Sequence, residues 1–163
     1  MVGIRTATII IQIMHSSAQV TVSRVSWHEA GVRLRAVRKT VFVEEQNVPE
    51  ELEWDGIDEL CLHALAATAA GEAVGTGRLL PDGHIGRMAV LAHWRKQGVG
   101  GLILAELIAA ARELRHAAVE LSAQTHAIGF YRRFGFEVVS GEYLDAGIPH
   151  RAMRLALLKP LPE

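Results

Sequence analysis

Hydrophobic residues recur along the chain with two periods, and the switches between them predict the order of elements. "VTVSRV" from Val20 alternates apolar and polar side chains and is β-branched, so it reads as a strand. Ser26, followed three residues later by Glu29, forms a capping box. That box opens a predicted helix through "WHEAGVRLRAVRKTVFVEEQ", with Val32, Leu34, Val37 and Val41 among its apolar positions. The helix is expected to end before "NVPEE", because Pro49 disfavours helical geometry in the residue before it. An acidic loop, "EELEWDGIDEL", comes next.

"LCLHALAAT" and "EAVGTGRLL" predict two antiparallel strands joined around "AAGE", and "HIGRMAVL" a third after the turn "PDG". "LILAELIAAARELRHAA" is a long helix whose Leu102, Ile103, Leu107, Ala110, Ala111 and Leu114 share one apolar side. "AVELSAQ" supplies a strand, "HAIGFYRRF" a short helix stopped by Gly135, "FEVVSGEY" a strand and "HRAMRLALL" a terminal strand. Strands interleaved with helices in a chain of this size predict an α/β (α+β) fold, one sheet with helices on both faces. Residues 19–163 are expected to form a single domain.

Ahead of that domain, "ATIIIQIM" is apolar but far short of the ~20 residues a spanning helix needs. Residues 1–18 are expected to be a poorly ordered or strand-like leader. With 163 residues, half of them hydrophobic, the chain can bury a core. A net charge of -1 provides no basic surface for nucleic acid, and no membrane partner is implied. Cys61 is the only cysteine, so no internal disulfide can form and a cytoplasmic setting is expected.

The stretch "RKQGVGG" sets Gly98, Gly100 and Gly101 at the start of the long helix, although glycine costs roughly 1 kcal/mol against alanine in a helix. A strand, this loop and a helix place unpaired backbone N–H groups at the positive end of a helix dipole, which suits an anion. Arg95 and Lys96 add charge at the mouth, as a pyrophosphate would require. A Walker A loop is excluded by the lack of any Gly-Lys pair. A Rossmann fingerprint begun at Gly98 and Gly100 would need glycine at position 103, which is Ile103.

Together these features resemble the GNAT superfamily of acyl-CoA-dependent N-acyltransferases. Arg95, Gly98 and Gly100 match its pyrophosphate loop behind the strand "GRMAVL". Ala127, Phe130, Tyr131, Gly135 and Phe136 in "AIGFYRRFGF" match its second motif. "VFVEEQNVP", "GTGRLL", "SAQTHA" and "GIPHRAM" are similar to the ElaA-like branch. The resemblance implies a mixed, mostly antiparallel sheet of six to seven strands, splayed where acetyl-CoA binds. It implies pantetheine along Met88, Ala89 and Val90. It places the pyrophosphate on the amides from Gln97 through Gly98, Val99 and Gly100 to Gly101, with Arg95, Lys96, Gln124, Phe130 and Tyr131 also contacting the cofactor. A homodimer is compatible with it.

An acceptor amine with an ordinary pKa of about 10.4 costs about 4.6 kcal/mol to deprotonate at pH 7, so a base or a desolvating pocket must help. The departing thiolate needs a proton and the oxyanion a donor such as the Val90 N–H. Tyr131, about 100° around the helix from Phe130, is the expected acid. Glu45 is the expected base, with Glu44, Glu142 and His150 as competitors. Glu45, Arg78 and His150 are expected to contact the amine-bearing substrate; for Arg78 and Arg87 a structural ion pair is the alternative. The eight histidines and Cys61 show no metal-ligand spacing, so no metal is implied. A module that binds acyl-CoA without turnover is the competing reading, and Tyr131 separates the two.

Overall fold

The computed structural model describes residues 9–11 and 19–158. Among the described residues nine strands form one sheet: β1 (Ile9–Ile11), β2 (Val20–Val25), β3 (Leu62–Thr68), β4 (Ala73–Leu79), β5 (His84–Val90), β6 (Ala118–Gln124), β7 (Glu137–Val138), β8 (Tyr143–Asp145) and β9 (Ile148–Ala156). Their order is β1-β2-β3-β4-β5-β6-β9-β7, with β8 also on β9. All neighbours are antiparallel except β5 and β6. The excess over the expected six or seven strands has two sources. Part of the leader pairs with β2, and "FEVVSGEY" breaks into β7 and β8, with Ser140 turned in to accept the Ala152 N–H. The remaining leader residues, 1–8 and 12–18, lie outside the described residues.

Helix α1 (Trp27–Arg38) starts at the expected capping box, with Ser26 and Glu29 bonded reciprocally. It does not run to Gln46 as an α-helix. At Lys39 it widens into a π-helical segment, Lys39–Glu45, closed by the Gln46 N–H on the Val41 carbonyl. Leu34 and Val37 are buried beneath it, but Val32, expected on the apolar side, is 85% exposed. A short helix α2 (Glu50–Glu53) follows, then β3 to β5 as a meander.

Helix α3 (Val99–Glu113) lies on the opposite face, burying Ile103, Leu104, Leu107, Ala110 and Ala111. Leu114, expected on that face, is its C-cap and is exposed, because the helix ends where the chain turns toward β6. Alternation along β3 divides the core: Ala64 and Ala66 face α3, whereas Leu65 packs with Ala30 and Leu34 of α1. Bare backbone on β4 lets α3 come close. A Cβ on Gly77 would stand 2.7 Å from Met88 Sδ and 2.8 Å from Leu107 Cδ1, and one on Gly75 2.8 Å from Ile103 Cδ1. The "GTG" of "GTGRLL" is therefore a packing requirement. Helix α4 (Ile128–Arg132) follows β6 and inserts Tyr131 against Phe136.

Candidate active site

The one parallel pair is also the one that separates. β5 and β6 are in register only at His84↔Glu120 and Ile85↔Leu121. Beyond Ile85 they diverge around a cavity of about 820 Å³ that reaches from Val90 to the β8–β9 hairpin. One wall is β5 with Met88, Ala89 and Val90; the other is β6 with Ser122 and Gln124. The divergence takes the later residues of β5 out of the ladder with β6. Leu91 gives its N–H to the Val74 carbonyl at 2.9 Å, so alternation turns the backbone groups of Val90 away from β4, toward the cavity. A bulge opposite Gly77 assists, with Arg87 at a φ of 51°.

The glycine loop closes one end. Gly98 is the N-cap of α3 at a φ of 85°, a conformation open to glycine without steric cost. Gly101 answers a different need, since its Cβ would lie 3.3 Å from Phe134 Cζ, while Gly100 has ordinary clearance from Phe130. Val99 is buried, and Gln97 gives its side-chain amide to the His93 carbonyl at 3.0 Å. Among the described residues Lys96 is in no ion pair; Arg95 is in one. Its guanidinium grips Glu45 through bonds of 2.7 and 2.9 Å, and its Nε donates to the Val90 carbonyl at 2.9 Å. Both oxygens of Glu45 are thus engaged.

Tyr131 lines the cavity and is 8% exposed, and burial pushes its hydroxyl up to about 12. Phe130 holds it edge-on at 5.1 Å. From the widened end of α1, Gln46 accepts from Gln124 Nε2 at 2.8 Å, bridging the helix to β6. His150, on β9 opposite Gln124, is buried at the cavity wall. Glu44 and Glu142 do not line this cavity.

Arg78, expected to contact substrate, does not reach the cavity. It is buried and bonded to Asp55 through two nitrogens and to Asp58 at 2.9 Å. Arg38, 1% exposed, joins Asp58 at 2.6 Å and Glu53 at 2.7 Å. The hydrogen bond and charge of Arg78 hold the Asp55 carboxyl down at about 2. Burial raises Asp58, but Arg38 and Arg78 outweigh it and leave that carboxyl below its ordinary value, while burial wins at Glu53 and raises it. The acidic loop is therefore a buried ionic clamp under the cavity floor. Arg87 lines the cavity wall instead, as Arg95 does at its mouth, and is held by the carbonyls of Leu52 and Glu53. Arg87 also reaches Asp55, the carboxylate that binds Arg78.

Comparison with known proteins decides the family. The acetyltransferase (GNAT) domain matches residues 27–157. The chain belongs to the GNAT family. A Bacillus subtilis relative, "uncharacterized N-acetyltransferase YjcF", is 42% identical over 121 residues, covering 72% of this chain and 86% of that protein. ElaA of Escherichia coli is 31% identical over 128 residues, 74% of this chain and 83% of its own. Its crystal structure superposes with a TM-score of 0.74, covering 83% of this chain and 98% of ElaA. An acyl-CoA N-acyltransferase from Pseudomonas aeruginosa, 32% identical, gives the same score over 83% and 99%. This GNAT chain is an acyltransferase, with the splayed sheet of its fold and acyl-CoA as the implied donor. Among the described residues no cluster of three or more His, Cys, Asp or Glu could hold a metal, and no helix is long and apolar enough to cross a membrane.

Proposed function

We propose that the protein transfers the acetyl group of acetyl-CoA to an amine, a small amine or a peptide amine, directly within a ternary complex. The reading is carried by the wedge between β5 and β6, where Val90 turns its backbone groups to the cavity and the glycine loop lies at the end of the same strand. A strand-like pantetheine fits beside Met88, Ala89 and Val90, and a pyrophosphate fits the amides of Gln97 to Gly101. With the donor fixed there, the protein supplies position and electrostatics. Attack forms the N–C bond and breaks C–S. The Val90 N–H stabilises the oxyanion, and the Tyr131 hydroxyl, protonated throughout the physiological range, donates to the departing sulfur. The single cysteine fits a cytoplasmic setting.

Titrating the protein calorimetrically with CoA, NAD and ATP, and screening amines and peptides for the acetyl mass shift, tests this. CoA should bind and the nucleotides should not compete. CoA binding without acetylation of any amine would favour a module that senses acyl-CoA.

A further inference from the structure

His150 is held differently from the other ionisable groups of the cavity. Its Nδ1 lies 2.6 Å from the Ile148 carbonyl, which can only accept, so Nδ1 carries the proton. The neutral ring then has its lone pair on Nε2, and among the described residues Nε2 has no hydrogen-bond partner. Tyr143 stacks on the ring at 6.2 Å and 20°, and is itself hydrogen-bonded to Ser122 of β6. The ring is thus fixed in tautomer and in plane, at a buried position on the cavity wall.

The carboxylate nearest in the same hairpin, Asp145, is exposed, whereas the imidazole is buried. From β6 it faces Ser122 and Gln124, and from β8 Tyr143 and Asp145. The turn before α4 presents His126, which is exposed and has no bond to fix its tautomer. Across the cavity both oxygens of Glu45 are taken by Arg95, Glu53 is consumed by Arg38, and Arg87 is a cation.

We propose that His150 Nε2 is the general base that takes the proton from the acceptor ammonium. This rests on the N-acetyltransferase reading. The ammonium has three protons: one passes to Nε2 and then to solvent, one reaches the departing sulfur with Tyr131 as donor, and one stays on the product amide. An imidazole nitrogen with a free lone pair is suited to this, because it can take a proton from the amine and return it to solvent.

His150→Asn separates the base from the scaffold, since an asparagine N–H can keep the bond to Ile148 while providing no basic nitrogen. With an amine found in the screen, the variant should bind CoA as wild type does and lose about 10²- to 10⁴-fold in kcat/KM at pH 7. The acidic limb of its pH profile should vanish, and the deficit should shrink at high pH, where the amine loses its own proton. A limb that persists, with kcat/KM within about threefold of wild type, overturns the proposal. Nitrogen-15 NMR of the wild-type imidazole is independent of folding of the variant. It should report the Nδ1–H tautomer, and an Nε2–H tautomer overturns the proposal because no lone pair would face the amine. Wild-type protein that binds CoA yet acetylates no amine removes the enzymatic reading, and this proposal with it.

Discussion

Arg95 and Glu45 form a two-point ion pair across the mouth of the cavity, while the same guanidinium holds the Val90 carbonyl. One cation therefore ties the widened end of α1 to the strand edge proposed for pantetheine. The pair is 39% exposed on each side, so it contributes only about 0.2–1 kcal/mol. Pyrophosphate on the neighbouring amides would compete with Glu45 for it. Glu45→Gln is expected to tighten CoA binding by up to about fivefold at low salt, and Arg95→Ala to weaken it. Calorimetric titration at two ionic strengths checks this, the gain fading as salt screens the charges. An unchanged dissociation constant for Glu45→Gln would mean that CoA does not draw on Arg95.

Tyr131→Phe removes a hydroxyl and leaves the packing against Phe130 and Phe136. It is expected to bind CoA normally and to lose about 10²-fold or more in kcat, measured by thiol release with the identified amine. Stability should respond as well. Up to about pH 10 the hydroxyl is protonated in folded and unfolded chains alike; above it the unfolded chain ionises first. Between pH about 10 and the folded value of about 12, wild type therefore loses stability, on the order of 3 kcal/mol at most. Urea unfolding from pH 9 to 11.5 should show this extra decline in wild type and not in Tyr131→Phe.

Asp58 is shared by Arg38 and Arg78 at the centre of the buried clamp. Asp58→Ala leaves two guanidinium groups under-neutralised and is expected to cost about 3–5 kcal/mol, read from denaturant midpoints. The clamp also sets the acid response. Asp55 and Asp58 both have lowered folded values, so their stabilisation is complete above the ordinary carboxylate range and is lost as pH falls below it, for Asp55 toward about 2. Glu53, raised by burial, acts in the opposite sense. Asp55→Asn should be less stable than wild type at neutral pH, and the difference should shrink across that acid window.

Gly77→Ala would push a methyl into Met88, Leu107 and Ile103 where α3 meets β4. Overpacking of this kind costs about 1–3 kcal/mol, or about 2–4 °C of Tm per kcal/mol in a chain of this size. Gly86→Ala, with open space around the glycine, serves as the control and is expected to melt within about 0.5 kcal/mol of wild type.

The sequence by itself determined the local elements and the kind of chemistry. Capping residues, alternation and helix period act within a few residues of one another, so the Ser26 box, the strands β2 to β6 and the glycine entry to α3 were legible. So was the family, because "RKQGVGG" and "AIGFYRRFGF" each lie within one loop-and-helix unit. Partnerships across the fold were not. Arg95 pairs with Glu45 fifty residues away, and Arg38 and Arg78 meet at Asp58, each at a separation of twenty. The widened end of α1 and the bulge at Arg87 shift which side chains face the cavity, and such irregularities leave no periodic signature. The bond from His150 to Ile148 spans only two residues. What it can do is nevertheless a tertiary fact: only the β8–β9 hairpin, folded against β6, brings that imidazole beside the splayed strands.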